Sequence, residues 1–303
     1  MTHVTTKKLD TTAWAMLLLL ASVWGGSFVF AEVALRELPP MTITLHRVFW
    51  AVPVLSLVLK IRGYSLPRDG RVWTAYLVMG ALNNAIPFSL IFWGQTQITA
   101  GLASILNATT AMFAAVVAGL LLKDEPLTMR KMVGAIVGVA GVAVIMGPQA
   151  LATFDLANLA QLAVLGATLS YAFAGVWGRV ALAGQPPLVN AFGMLVGSTI
   201  LMVPVVLVAD GVPVLSLSSP TWAALLVMAT LSTALAYVLY FAILARAGAA
   251  NLLLVTLLIP PIAVLLGAAF LGEAMAPRAF AGFAVIALGF AVTDGRLLAR
   301  MRG

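Results

Sequence analysis

The sequence predicts an all-α integral membrane protein with ten transmembrane helices, arranged as two inverted five-helix repeats. Hydrophobic residues make up 62% of the chain and charged residues only 9%, which leaves too little polar surface for a water-soluble domain. Apolar runs of about 20 residues, the length that crosses a hydrocarbon core as a helix, recur along the chain. In addition, residues 101–141 are repeated about 148 positions later.

The apolar runs are interpreted as helices because lipid offers no partner for unpaired backbone groups and the runs lack the alternation of barrel strands. The first five cover residues 12–34, 41–60, 72–93, 99–122 and 129–147. The last five cover residues 158–181, 188–208, 220–243, 250–271 and 278–295. The first run follows two lysines, as in a secretory signal, but its length and its internal Trp24 and Gly25 indicate a membrane helix.

The repeat is defined by residues that match at one constant offset. They are Gly119 and Gly267, Glu125 and Glu273, Arg130 and Arg278, Gly134 and Gly282, Gly141 and Gly289, Ser22 and Ser170, and Pro39 and Pro187. We therefore divide the chain into a first repeat, residues 1–150, and a second repeat, residues 151–303. Because each repeat holds an odd number of spans, the second inserts upside down relative to the first, an arrangement typical of secondary transporters.

The distribution of positive charge predicts the orientation. Fourteen of the 17 Lys and Arg residues fall at one side of the predicted bundle, whereas only Arg36 and Arg278 fall at the other. The positive-inside rule then places both termini in the cytoplasm. The net charge of +7 is a topology signal and gives no reason to expect nucleic acid as a partner.

Several chemistries are excluded by the residues present. The chain has no cysteine and two histidines, His3 and His46, so we expect no disulfide, thiolate site or metal cluster. No GxxxxGK[ST] loop occurs, and hydroxyls inside the predicted helices have no base at the same depth. We therefore expect no cofactor and no enzyme, and any transport would be driven by gradients.

Motifs in both halves resemble the EamA repeat of the drug/metabolite transporter superfamily. They are Trp24-Gly25-Gly26-Ser27-Phe28, Arg47, the stretch Lys123-Asp124-Glu125-Pro126-Leu127-Thr128, and the glycines Gly134, Gly138 and Gly141. The second copy keeps Leu271-Gly272-Glu273, Gly282 and Gly289 but lacks the Trp-Gly-Gly and the arginine. The resemblance covers nearly the whole chain. It implies ten helices, a central cavity built from helices 1, 3, 4, 6, 8 and 9, and export across a bacterial inner membrane, with neutral and aromatic amino-acid exporters as the most similar members.

The depth of the charges restricts the substrate independently. Of the ten acidic residues, Glu32 lies inside an apolar run near its outer end and Asp294 lies at the very end of the last run, so no midplane carboxylate is expected to hold a permanent cation. A basic cluster suited to phosphorylated compounds is also missing from the runs. A small neutral, zwitterionic or apolar solute remains, and the missing carboxylate favours facilitated or weakly coupled transport.

Two pairs of charges are assigned structural roles. Glu32 and Arg47 are both expected in the outer third of neighbouring helices, where an ion pair would lower the cost of burying each charge. We favour a structural pair over a gate or a proton-linked role. Glu125 and Glu273 lie at helix ends near Arg130 and Arg278, and we expect them to cap or brace those turns.

Polar and aromatic residues at mid-helix depth are the candidate substrate pathway, because an amide that faced lipid would have no hydrogen-bond partner. Amides can meet both an ammonium and a carboxylate, and aromatic rings offer apolar walls and cation–π contacts. The alternative is that these groups only bond between helices. The candidates are Trp24, Ser27, Asn83, Asn84, Asn107, Thr110, Ser170, Tyr171, Tyr237 and Tyr240.

Prolines and glycines inside the runs predict bends and close contacts. Proline removes a backbone hydrogen bond, so we expect helix bends at Pro87, Pro204 and Pro260 with Pro261. Small residues let helices approach closely. The glycines concerned are Gly134, Gly138, Gly141, Gly193 and Gly197, and we interpret them as internal contacts in preference to a dimer seam, which is compatible with a monomer.

Together these observations predict an exporter of amino acids or similar metabolites that works by alternating access around a midplane site. Two alternatives stay open at this point. One is a broad exporter of apolar drugs, and the other is a non-transporting membrane protein that assembles complexes or handles lipid.

Overall fold

The computed structural model describes residues 9–98, 100–152, 155, 158–271 and 276–294. Within these ranges the regular secondary structure is entirely helical. The helices of the first half are α1 (Thr11–Leu35), α2 (Pro40–Ile61), α3 (Gly70–Gln95), α4 (Ala100–Ala108 and Thr110–Leu121) and α5 (Met129–Met146). After a short helix, Pro148–Ala152, the second half contains α6 (Leu159–Ala181), α7 (Pro187–Ala209), α8 (Ser219–Ala247), α9 (Ala249–Leu253 and Val255–Leu271) and α10 (Pro277–Asp294).

Seven helices, α1 to α4 and α6 to α8, are long and apolar enough to cross a membrane. This confirms a multi-span membrane protein. Each of the other three predicted spans also contains a described helix, namely α5, α9 and α10. That all ten cross the membrane stays a prediction.

The helix ends follow from capping residues in the sequence. The side chain of Asp10 accepts a hydrogen bond from the N–H of Ala13 at 2.8 Å and so caps the start of α1. The side chain of Asn158 caps α6 in the same way, through the N–H of Ala160 at 2.9 Å. Pro40 and Pro187 occupy the first turns of α2 and α7, where a missing N–H costs nothing.

The main contacts between the two halves are symmetric, because each of them, made by a helix of one half, has a counterpart made by the matching helix of the other half. Helix α3 packs against α6 and α7, and its counterpart α8 packs against α1 and α2. Helix α4 packs against α6, as α9 packs against α1, while α5 and α10 pack against each other. These pairings are those that a two-fold axis between inverted repeats requires. Much of the core therefore lies between the two halves.

The counterpart helices α3 and α8 are both interrupted near their middles by a π-helical segment. The segment in α3 is Ala81–Ala85 and the segment in α8 is Thr230–Leu235. A π-helical turn displaces the backbone ladder and is frequent at functional sites. The interruption in α3 directly precedes Pro87, one of the expected bends. In α9, by contrast, Pro260 lies within the continuous helix Val255–Leu271.

Glycines mediate the closest helix contacts, and these contacts are internal. A Cβ atom added at Gly289 of α10 would lie 2.7 Å from the carbonyl oxygen of Gly134 in α5. One added at Gly282 would lie 2.7 Å from the carbonyl oxygen of Gly141. Because these are backbone atoms, a side chain could be accommodated only by separating the helices. Gly197 of α7 similarly faces the backbone of α3, and the glycines thus serve internal packing.

We expect Gly289→Ala to destabilise the protein by about 1–3 kcal/mol, the usual cost of overpacking a tight contact. Thermal unfolding of the purified protein in detergent measures this as a lower Tm. Gly166→Ala in α6 is the matched control, because the nearest atom to an added Cβ there is Leu90 Cδ1 at 3.7 Å. Equal Tm values for the two variants would show that the α5–α10 contact is not tightly packed.

Candidate functional site

A central cavity lies between the two halves. Its walls come from α1, α3, α4, α6, α8 and α9, the six helices expected to build it, and also from α2 through Arg47. Most of the lining is aromatic or aliphatic, with a few polar groups, which is typical of sites for small organic molecules. The lining residues are Trp24, Ser27, Ala31, Arg47, Asn83, Phe88, Ile91, Phe92, Asn107, Tyr171, Tyr237, Tyr240, Leu253, Thr256 and Ile259.

Arg47 places a guanidinium in the cavity wall. The residue is only 4% exposed. Its Nε donates to the Thr233 hydroxyl at 3.0 Å and its Nη2 donates to the Ser232 carbonyl at 3.2 Å. Both partners belong to the π-helical segment of α8. The guanidinium carbon also lies 4.1 Å from the centre of the Phe88 ring, so the cation contacts neutral oxygens and an aromatic face.

The expected ion pair between Glu32 and Arg47 is not formed. The Glu32 side chain is 69% exposed and lies 3.9 Å from Arg36, one helical turn further along α1. The buried face of this part of α1 is instead formed by Ala31 and Ala34. Helical geometry separates neighbouring residues by about 100° around the axis, so Glu32 points away from the cavity. Among the described residues, no acidic side chain forms an ion pair with Arg47.

The adjacent residues Asn83 and Asn84 lie in the π-helical segment of α3 but make different contacts. Asn83 lines the cavity, and its Nδ2 lies 3.5 Å from the Met194 sulfur. Asn84 donates from Nδ2 to the Ser198 hydroxyl at 2.7 Å and accepts at Oδ1 from the Tyr237 hydroxyl. Asn84 therefore connects α3 to α7 and α8, and it is not part of the cavity lining.

Three polar atoms of the cavity-lining residues have no hydrogen-bond partner among the described residues. They are Asn83 Oδ1, Asn107 Oδ1 and the hydroxyl oxygen of Tyr240. All three residues are buried. Because a buried polar atom without a partner is costly, these atoms indicate where a polar ligand would bind.

Aromatic rings form a connected wall on the α1 and α8 side. Trp24 donates from Nε1 to the Ser232 carbonyl at 3.0 Å, which fixes the indole in place. Its ring centre lies 6.2 Å from that of Tyr237, and the rings of Tyr237 and Tyr240 are 5.9 Å apart. The Ser27 hydroxyl donates to the Trp24 carbonyl at 2.7 Å. These groups give the cavity rigid walls with few rotatable bonds.

Two further predicted pathway residues make contacts outside the cavity lining. Thr110 donates to the Asn107 carbonyl of its own helix at 2.6 Å. Ser170 of α6 donates to the Leu82 carbonyl at 2.7 Å, within the π-helical segment of α3. These contacts, like those of Asn84, are the bonds within and between helices that the alternative interpretation expects. The other seven predicted residues line the cavity.

Some cavity residues were not anticipated. Phe88 and Phe92 lie one helical turn apart just after Pro87, and that spacing is the available signal. The sequence predicts an ion pair for Arg47 because Glu32 is expected at the same depth in the neighbouring helix. The roles of Ser232 and Thr233 depend on the π-helical segment of α8, which the sequence does not reveal.

Glu125 braces a turn, but with a different partner from the one expected. It is 5% exposed and forms an ion pair with Arg179 of α6, in place of Arg130. Arg179 also pairs with Asp124. The carboxylate of Glu125 accepts a further hydrogen bond from the N–H of Ala249 at 2.9 Å. The matching residue of the second repeat, Glu273, lies outside the described residues.

At the opposite end of the bundle, Glu37 links the turn between α1 and α2 to the start of α8. The Ser218 hydroxyl and backbone N–H and the Thr221 hydroxyl all donate to its carboxylate. These hydrogen bonds hold the pKa of Glu37 below its usual value. In the same region Asp210 accepts from the N–H and the hydroxyl of Thr42, each at 2.8 Å.

Two matching helical repeats around a central cavity define a membrane transporter of the inverted-repeat class. Residues 12–147 and 158–293 each match the EamA-like transporter family, and the chain belongs to that family. The relatives of this chain are transporters of the drug/metabolite superfamily and not enzymes.

Individual relatives are distant but span most of the chain. A probable terminal-alkyne amino-acid exporter of Streptantibioticus cattleyicolor is 26% identical over 299 residues, covering 97% of both chains. An uncharacterized transporter of Archaeoglobus fulgidus is 27% identical over 253 residues, covering 81% of this chain and 84% of its own. One solved protein structure superposes with a TM-score of 0.76 at 20% identity, covering 97% of this chain and 99% of the other, and it supports the fold.

We expect Asn84→Ala to lower the stability of the protein by about 1–3 kcal/mol, because it leaves buried partners on α7 and α8 with fewer hydrogen bonds. The readout is the Tm of the purified protein in detergent. Asn83→Ala is the matched control, since it removes an amide of the same size whose oxygen has no partner among the described residues. A larger loss of Tm in Asn83→Ala than in Asn84→Ala would contradict this assignment.

Proposed function

We propose that the protein exports small zwitterionic metabolites, with amino acids as the favoured class, by alternating access around the central cavity. The observation that carries the proposal is Arg47, a buried guanidinium in the cavity wall that has no acidic partner among the described residues. An ionised group at membrane depth costs several kcal/mol and is kept for function. A substrate carboxylate would supply the missing countercharge and could accept two parallel hydrogen bonds.

The ammonium end of such a substrate matches the other free polar atoms. The side-chain oxygens of Asn83 and Asn107 are acceptors without partners among the described residues. Amide oxygens accept from an ammonium without adding a charge to the cavity. The rings of Trp24, Tyr237 and Tyr240 add cation–π attraction for the same group. Phe88 and Ile259 then provide an apolar surface for the substrate side chain.

The placement in the membrane is part of the proposal. We place all ten helices across a bacterial inner membrane with both termini in the cytoplasm, as the positive-inside rule favours. The protein works as a monomer, in keeping with glycine contacts that lie inside the bundle. No carboxylate belongs to the described cavity lining, which supports facilitated or weakly coupled transport.

The relatives support the class of function. The match to a probable terminal-alkyne amino-acid exporter over nearly the full chain supports amino-acid export here. Membership of a transporter family removes the non-transporting alternative. Export of apolar drugs stays as the second candidate, because aromatic and aliphatic side chains form most of the cavity wall.

Uptake of radiolabelled Thr, Met, Leu and Phe into liposomes that contain the purified protein tests the proposal, with and without a pH gradient. We expect saturable uptake that competing neutral amino acids reduce and that their methyl esters, which lack the carboxylate, do not. A rate independent of the gradient supports facilitated transport. If flux follows the hydrophobicity of the solute alone, the drug alternative is correct.

We expect Arg47→Gln to reduce amino-acid uptake about tenfold to a hundredfold, the factor that corresponds to losing charged hydrogen bonds worth about 1.5–3 kcal/mol. Arg68→Gln is the matched control, because Arg68 lies exposed in the turn between α2 and α3. Both variants must show the monodisperse gel-filtration profile of the unaltered protein. Equal uptake by the two variants would contradict the proposal that Arg47 binds the substrate carboxylate.

A further inference from the structure

A second cavity lies at the end of the bundle where α1 begins. Charges of both signs line it, with Asp124 and Glu125 on one hand and Arg130 and Lys131 on the other. The two cavities meet at α9. Leu253 lines the central cavity, whereas the next residue, Leu254, lines the second. This part of α9 therefore contributes to the walls of both cavities.

The separating segment is the short helix Ala249–Leu253, which we call the gate helix. Gly248 precedes it with a φ of +86°, a backbone conformation that favours glycine. Leu254 follows it in helical conformation, with a φ of −59° and a ψ of −19°, and leads into the rest of α9. Gly248 therefore separates the gate helix from α8, and movement of the gate helix does not require α8 to unwind.

Glu125 holds the gate helix in place. Its carboxylate accepts the N–H of Ala249, the first residue of the gate helix, and forms the ion pair with Arg179 at the end of α6. A Cβ atom at Gly248 would collide with that carboxylate. One side chain therefore connects the turn between α4 and α5, the end of α6 and the gate helix, which together come from both repeats.

The first repeat differs at the matching place. The offset that relates Ser22 to Ser170 and Pro39 to Pro187 also relates Ala31 to Arg179. Ala31 lines the central cavity, so the opposite end of the bundle has a small apolar residue where this end has the guanidinium. The guanidinium of this connection therefore has no counterpart in the sequence of the first repeat.

We propose that the second cavity is the cytoplasmic entrance of the transport path and that the gate helix, latched by Glu125, closes it off from the central cavity. The inference rests on the proposed transport function and orientation. Glu125 already lines the second cavity, so water can reach its carboxylate when the latch opens. Opening therefore does not leave this carboxylate buried without a partner. The charges of both signs around the entrance suit a zwitterion arriving from the cytoplasm.

The absence of cysteine from the chain allows the gate to be tested by labelling single introduced cysteines. Thr256→Cys places a thiol in the central cavity behind the gate helix, and Arg130→Cys places one in the entrance. A membrane-impermeant maleimide is applied to inside-out vesicles, whose outer surface is the cytoplasmic face. We expect rapid labelling of the Arg130→Cys protein and slow labelling of the Thr256→Cys protein.

Adding Glu125→Gln should speed labelling of the Thr256→Cys protein about tenfold or more, because the neutral amide loses the charged bonds to Arg179 and Ala249. Arg179→Gln should act in the same direction and replaces Glu125→Gln if that variant does not fold. The matched control is Glu37→Gln, which removes a polar link at the opposite end of the bundle and should leave the rate unchanged.

Three results would overturn the inference. These are rapid labelling of Thr256→Cys with the latch intact, no acceleration by either latch variant, and labelling of Arg130→Cys only in right-side-out vesicles. The labelling rates do not depend on finding a substrate. Faster labelling in a protein that carries no amino acid would support the gate and refute amino-acid export, so the two failures can be told apart.

Discussion

The central constraint in this structure is the burial of a guanidinium among apolar helices. Arg47 cannot lose its proton and must find oxygen acceptors at membrane depth. The π-helical segment of α8 provides two of them, the Ser232 carbonyl and the Thr233 hydroxyl. The same carbonyl also fixes Trp24. The cation, the aromatic wall and the interface between α1, α2 and α8 therefore depend on one irregular turn.

The two halves share their architecture but divide the chemistry. The π-helical segment of α3 contributes amides, of which Asn83 lines the cavity and Asn84 bonds to α7 and α8. The segment of α8 contributes one carbonyl and one hydroxyl that hold Arg47. A serine hydroxyl connects each segment to a neighbouring helix, from Ser170 to the Leu82 carbonyl in one case and from Ser232 to the Val23 carbonyl in the other. Symmetry thus builds the frame, and substitutions within it place a guanidinium and unpaired amide oxygens in the wall of one cavity.

Much of the architecture could be predicted because it depends on composition, run length and a constant offset, which are properties of the sequence alone. It is harder to predict which residues face the cavity, because the side of a helix that faces it depends on the rotation of the helix about its own axis. Glu32 and Ala31 are adjacent in the chain, yet one is exposed and the other lines the cavity. Asn83 and Asn84 are separated in the same way by a π-helical turn, which shifts the register of α3. Arg179 was not predicted as the partner of Glu125 because the two residues are joined only by tertiary packing.

Alternating access requires that the two ends of the path not be open together, and the contacts at the two ends differ in kind. At the end near Glu37, hydrogen bonds from Ser218 and Thr221 tie the turn between α1 and α2 to α8. At the other end an ion pair and a backbone hydrogen bond act on the five-residue helix that follows Gly248. The Glu37 carboxylate and Ser218 are exposed, so water competes for their hydrogen bonds, whereas the Glu125–Arg179 pair is mostly buried and opens less easily. In the proposed cycle the latched end would therefore open less readily, and a substrate that neutralises Arg47 would act on it through α8, the helix that contacts the guanidinium and leads directly into Gly248.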